Sequence, residues 1–183
     1  HAGYILVGLA SSEPDGLNSG NLAGIQATVF YLVAYAITNL TAFLSILSIS
    51  REINSFDIEE YKCVGIRARY QSIILAISLI SLLGIPATIG FMGKAFIFTS
   101  AISNNLMWLA LLGILNSVIS AYYYIRIIKL MFIDSSEYQT SKTANSDLNT
   151  RVITSFGAVL IIAIGLAPVM LLGIVESVVN LLQ

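Results

Sequence analysis

The sequence predicts an all-α fold: a polytopic transmembrane helix bundle with about four full spans, one partial span and one broken, discontinuous helix. Three observations carry that prediction. The chain is 57% hydrophobic and only 10% charged, with a mean hydropathy of +0.86, whereas a soluble domain carries roughly 25% charge. Charge-free stretches such as 16–50 reach the ~20 residues that a spanning helix needs. The apolar run 78–96 holds its own helix breakers, Gly84, Pro86, Gly90 and Gly93, and ends beside one lysine, Lys94.

The composition excludes several classes. No basic patch points to nucleic acid. The single cysteine, Cys63, rules out an intrachain disulfide framework, and no Cys/His cluster offers a metal site. His1 is the one histidine, and no group of titratable residues is placed for hydrolytic chemistry.

Taken in order, residues 1–10 form an apolar segment too short to span alone. They read as the end of a helix in the C-terminal part of a longer polytopic chain, the whole of 1–183 being one membrane domain. Residues 11–20 are an acidic loop dense in turn formers. Residues 22–48 form the first full span, with Thr38, Asn39, Thr41 and Ser45 near its middle. Thr38 and Asn39 are candidates to face a polar pathway, or to join helices by hydrogen bonds. Residues 51–69 are a charged loop in which Phe56 to Tyr61 reads as a short interfacial helix capped by Asn54 or Ser55.

The broken span covers 70–103. A continuous helix of that length would be ~50 Å long, against a ~30 Å hydrocarbon core, and an interruption from Gly84 to Gly93 absorbs part of the excess. Asn104 and Asn105 make a tight turn. The next span covers 106–129, with Tyr122, Tyr123 and Tyr124 as an interfacial belt and Arg126 and Lys129 as snorkelling cations. A polar linker covers 134–149. The last span, 152–176, carries Gly165 and Pro168 as an expected kink.

Loops 51–69 and 126–151 each hold four Lys or Arg, while 11–20, the turn at Asn104 and the C-terminal tail hold none. The positive-inside rule places the two basic loops on the cytoplasmic or equivalent N side and the C-terminus outside.

Irregular backbone is tolerated at membrane depth where protein or a water-filled cavity satisfies the freed N–H and C=O groups. An ionisable residue there is a functional-site hypothesis. Low dielectric disfavours the charged form of a lysine, which makes it an exchangeable proton carrier. Lys94 stands ~13 Å inside the Ser103 boundary if the helix is continuous. It reads as a proton-transfer residue in a half-channel, with Ser78 and Ser81 on the approach to the break or joining helices by hydrogen bonds. The competing reading is a lysine that snorkels to the nearer interface.

The run Leu82-Leu83-Gly84-Ile85-Pro86-Ala87-Thr88-Ile89-Gly90-Phe91-Met92-Gly93-Lys94 resembles the signature of the antiporter-like membrane subunits of respiratory complex I. His1-Ala2-Gly3-Tyr4 and Ser117 to Arg126, with its tyrosine run, resemble segments of the subunit N (chain 2) branch. The histidine that subunit L and M relatives carry on the helix matching 22–48 has no counterpart in Tyr35 to Thr41. The resemblance covers essentially the whole chain.

It implies a bundle of inverted repeats, each with one broken helix, of which this chain supplies the second. Lys94 then corresponds to the terminal residue of the outward proton channel, with His1 as an auxiliary polar candidate. The implied function is proton translocation in a complex I-type oxidoreductase of the NADH–quinone or F420H2 dehydrogenase kind. No cofactor is expected on this chain, with flavin and iron–sulfur clusters in partner subunits. The implied partners are neighbouring antiporter-like and small membrane subunits and the lipid bilayer of an energy-converting membrane, prokaryotic, inner organellar or thylakoid. An Mrp-type cation/proton antiporter subunit shares the signature, and a non-transporting membrane scaffold is the alternative of a different class.

Overall fold

Among the described residues the backbone breaks mainly at left-handed or donor-free positions such as Asn54, Gly84, Pro86 and Pro168, and it is helical almost everywhere else. The computed structural model describes residues 1–12, 23–62, 64–133 and 148–181. Most of the acidic loop, Cys63 and most of the polar linker lie outside the described residues.

The helices in chain order are α1 (Ala2–Ala10), α2 (Ala23–Ile53), α3 (Val64–Arg67), α4 (Arg69–Leu83), α5 (Ile89–Ser103), α6 (Met107–Phe132), α7 (Leu148–Leu166) and α8 (Val169–Asn180), with a 3₁₀ turn at Ile58–Tyr61 before α3. Three of them, α2, α6 and α7, are long and apolar enough to cross a membrane alone. α4 and α5, at 15 residues each, reach only ~22 Å apiece and cross together.

Helix α2 runs past the expected end near Ser48 to Ile53, through Arg51 and Glu52. A helix of ~46 Å outruns a ~30 Å core, so its polar end lies beyond the apolar layer. Asn54 stops it at φ 56°, in the left-handed region that Asn tolerates. The interfacial helix expected over Phe56 to Tyr61 is only the 3₁₀ turn. Its first flanking residue is Asp57, without a side-chain cap. Ser55 instead accepts the Asp57 N–H at 3.1 Å, a local turn.

The last span differs from the expected kink. α7 ends at Leu166, and Pro168 opens a separate helix, α8. A proline has no N–H to continue the ladder but suits a helix start. Gly165 lies inside α7 and is a packing residue: a Cβ there would stand 2.5 Å from the Thr88 backbone.

α2 is the central element and packs on α1, α4, α5, α7 and α8. Around it lie three buried apolar clusters. One joins Ile49 to Val64, Ala68, Leu75 and Met131. The second joins Phe30 to Ile89, Ile161 and Val175, and the third joins Tyr31 to Tyr4, Ile97 and Ala110. α6 sits at the periphery, with Leu111, Leu115, Val118 and Ile119 exposed, as expected of a face that meets lipid or another membrane helix.

Candidate functional site

A helix leaves its last four carbonyls without intrahelical partners. At the end of α4 these belong to Ile80, Ser81, Leu82 and Leu83. Gly84 adopts φ 91°, and its N–H bonds Ser81 O at 3.0 Å while Ile85 N–H bonds Ile80 O at 3.3 Å. This is a Schellman cap, and it serves two of the four. Lys94 serves the other two. Its Nζ donates to Leu82 O at 2.9 Å, to Leu83 O at 3.0 Å and to Ser117 Oγ of α6 at 2.8 Å.

The lysine is therefore saturated: an ammonium has three donors, and each has a neutral acceptor. It also faces the negative end of the α4 dipole. Lys94 is 5% exposed, with the Tyr4 ring 5.2 Å from Nζ. The side chain turns back toward the break, and the snorkelling alternative is not the geometry found.

Pro86 and Ala87 form the centre of the turn between the half-helices. Ala87 has φ 73°, the position that normally demands glycine in a turn of this kind. Thr88 closes it, donating to Ile85 O at 2.7 Å and accepting Phe91 N–H at 3.4 Å as the cap of α5. The next free amide of α5, Gly90 N–H, bonds Ser81 Oγ at 3.1 Å. So Ser81 joins the two halves.

The break itself is shorter than expected. Gly84 and Pro86 belong to it, whereas Gly90 and Gly93 lie inside α5 and serve close approach. A Cβ at Gly90 would stand 2.0 Å from Ser81 O, and one at Gly93 would stand 2.9 Å from Tyr31. Gly84 does both jobs, since a Cβ there would also crowd Lys94 Cδ at 3.2 Å.

Beside Lys94 lies a cavity of about 10 Å³ bounded by His1, Tyr31, Tyr35, Thr38 and Ser81. That is close to the space one water needs. Thr38 Oγ1 lies 3.4 Å from Ser81 Oγ and also bonds Ala34 O at 2.7 Å. His1 is held by two tyrosines, Nδ1 to Tyr31 OH at 2.6 Å and Nε2 to Tyr124 OH at 3.0 Å, and it stacks on Tyr35. A neutral imidazole offers one donor and one acceptor, so one tyrosine donates and the other accepts.

Of the sequence candidates, His1, Thr38, Ser81 and Lys94 meet at this one cavity. Asn39, half-buried on the neighbouring face of α2, does not line it. The tyrosine belt needs correction. Tyr122 and Tyr123 are exposed, but Tyr124 turns inward to His1. Ser117, Tyr4, Tyr31 and Tyr35 were not among the candidates. Ser117 and Tyr124 are two helical turns apart on α6 and so share a face, a periodicity visible in the sequence. Among the described residues no three His, Cys, Asp or Glu side chains gather as a metal set.

An apolar helical bundle with a discontinuous helix and a buried lysine at its break is an integral membrane protein of the broken-helix type. The family model described as NADH:quinone oxidoreductase/Mrp antiporter, TM, matches residues 1–120, and the chain belongs to that family. It is 38% identical over 168 residues to NADH-quinone oxidoreductase subunit N 2 of Chloroherpeton thalassium, covering 91% of this chain and 31% of that protein. It is 37% identical to subunit N of Dehalococcoides mccartyi, covering 100% of this chain and 36% of that one. In structure it resembles a chain of respiratory complex I from Thermus thermophilus with bound aureothin, with a TM-score of 0.70 and 25% identity, covering 94% of this chain and 37% of that one. The chain thus spans about a third of the length of the curated relatives it matches.

Proposed function

We propose that this chain is the C-terminal membrane part of a proton-translocating subunit in a complex I-type oxidoreductase, with Lys94 passing a proton toward the outer side. The observation that carries the reading is the saturated, buried Lys94 at the carbonyl end of a broken helix. Its three partners are neutral, so losing the proton leaves no carboxylate without its counter-ion. Of the three, only Ser117 can reverse its role: the hydroxyl that accepts from the ammonium can donate to the neutral amine, while the two carbonyls keep the remaining N–H groups. The small cavity beside it, at His1, Thr38 and Ser81, is where water would exchange that proton.

Membership of the family and the positive-inside distribution of Lys and Arg support the rest of the reading. The 1–183 region is one membrane domain. Flavin and iron–sulfur chemistry belongs to partner subunits, and electron transfer there drives the membrane part. Adjacent antiporter-like and small membrane subunits are its neighbours in an energy-converting membrane, with the basic loops on the N side and the C-terminus outside. The family description names Mrp antiporters as well, and this favours an Mrp-type cation/proton antiporter as the second reading. Copurification of quinone-reducing peripheral subunits supports the first, and copurification of Mrp partners supports the second.

The test is proton translocation in sealed vesicles by the assembled complex, wild type against Lys94→Ala, with electron transfer followed in parallel. The variant is expected to assemble and to move fewer protons per electron. An unchanged stoichiometry would make Lys94 a helix cap in a scaffold and nothing more.

A further inference from the structure

The interface of α2, α4 and α7 holds a second set of polar side chains that the Lys94 site does not use. On α2, Thr41, Ser45 and Ser48 continue the face of Thr38 at steps of three and four residues. On α4, Ser78 and Gln71 continue the face of Ser81 at steps of three and seven. None of these is more than 5% exposed, and Ser45, Ser78 and Thr154 of α7 are fully buried. α7 is drawn against this seam at Gly157, where a Cβ would stand 2.1 Å from Thr41 Oγ1.

α2 and α4 run antiparallel, since Thr38 meets Ser81 while Ile49 shares a core with Val64 and Ala68. Ten residues back from Ser81 and ten forward from Thr38 each cover ~15 Å. Gln71 therefore stands level with Ser48, one turn from Glu52 at the end of the bundle that carries the basic loops.

Most of these hydroxyls have a local role. Thr38, Thr41, Ser45, Ser78 and Thr154 each donate to the carbonyl four residues back, which leaves their oxygens free to accept. Gln71 differs. It is 1% exposed, and neither its Oε1 nor its Nε2 has a partner. Ser72 Oγ, fully buried beside it, has none either, nor has Glu52 Oε2 at the far end. Arg67 and Arg151 lie within electrostatic reach of that carboxylate. Buried polar groups are nearly always hydrogen-bonded, and buried water is the usual partner where protein supplies none.

We propose that Gln71 and Ser72 bind ordered water, and that this water links the Glu52 end of the bundle to the Lys94 cavity as a proton path. Gln71 is a positioning residue. Its amide donates from one atom and accepts at the other, so it orients water without carrying the proton. Each step along the path breaks one O–H bond and forms another on the next oxygen, and nothing is oxidised or reduced. The conducting role rests on the Lys94 reading above. The water sites rest on the orphaned amide and hydroxyl alone.

The first test is an electron cryo-microscopy map of the full-length protein in its membrane complex, at a resolution that shows ordered water. Water is expected at hydrogen-bond distance from the Gln71 amide and Ser72 Oγ. A Gln71 side chain paired to protein groups in a dry seam overturns the proposal. The second test is vesicle translocation by Gln71→Leu, Gln71→Glu and Lys94→Ala. Gln71→Leu is expected to lower protons per electron as far as Lys94→Ala does, and Gln71→Glu to keep at least half of the difference. Full translocation in Gln71→Leu beside a loss in Lys94→Ala overturns the path. Full translocation in Lys94→Ala overturns the Lys94 reading and the conducting role together, and the map alone then decides the water sites. Should Gln71→Leu fail to assemble, Ser72→Ala takes its place, with lost water density and lowered translocation expected and wild-type values of both overturning the path.

Discussion

Lys94 answers a backbone problem before it does any chemistry. Two of the four carbonyls at the end of α4 are closed by the turn at Gly84, and the lysine closes the remaining two. A buried carbonyl left without a donor costs about 1–3 kcal/mol, so the charge and the break support each other. The approach of the two half-helices depends equally on Gly90. Its missing Cβ would otherwise stand 2.0 Å from Ser81 O, a backbone atom that cannot swing aside. Gly90→Ala is therefore expected to destabilise the protein by about 1–3 kcal/mol, as overpacking does, and to weaken the Ser81 link that positions α5. Gly3→Ala, where a Cβ meets nothing within 4 Å, is the control. Thermal unfolding of both in the same detergent checks the pair. Equal midpoints would mean that the half-helices can part without cost.

At the scale of elements, apolar runs and breakers made the bundle legible, because span length and charge distribution follow directly from the bilayer. Element ends were less legible. Nothing in the composition of 49–53 marks Ile53 over Ser48 as the helix end, since a helix can project past the apolar layer until Asn54 takes a left-handed turn. Gly90 and Gly93 read as breakers because a glycine that frees the backbone and a glycine that clears space look alike in one dimension. The site was legible in Lys94, Ser81, Thr38 and His1. Ser117 was not singled out and Tyr124 read only as part of the belt, because their role depends on which face of α6 meets the break, and the belt-like tyrosine run masks that face. Gly165 shows the same limit. Read as a kink, it is the surface on which α7 rests against Ala87 and Thr88. Gly165→Ala would press a methyl group to 2.5 Å from Thr88 backbone atoms. It is expected to cost about 1–3 kcal/mol, while Gly173→Ala, a helix position with nothing within 4 Å, does not lower the unfolding midpoint. A neutral Gly165→Ala would show that α7 does not brace the break.

At the scale of the whole molecule, packing adds a constraint that charge counting alone lacks. Met131, near the end of α6, shares a buried cluster with Val64 and Ala68, and a Cβ at Gly65 would meet Met131 O at 2.6 Å. The two basic loops thus begin side by side at one end of the bundle. At the other end Asn104 donates to Ser11 O at 2.7 Å, and Ser11 pairs with Ser100, so the segments without Lys or Arg meet there. Among the described residues every Lys and Arg but Lys94 belongs to the first end, which makes the positive-inside rule a single decision for the whole bundle. The expected outcome is that Lys62→Cys, in a chain whose Cys63 is serine, reacts with a membrane-impermeant thiol reagent only from the cytoplasmic or N side. Ser103→Cys in the same background is expected to react only from the opposite side. Labelling of both from one side would contradict the packing. Labelling of each from the side opposite to that expected would invert the bundle, and Lys94 would then release its proton inward.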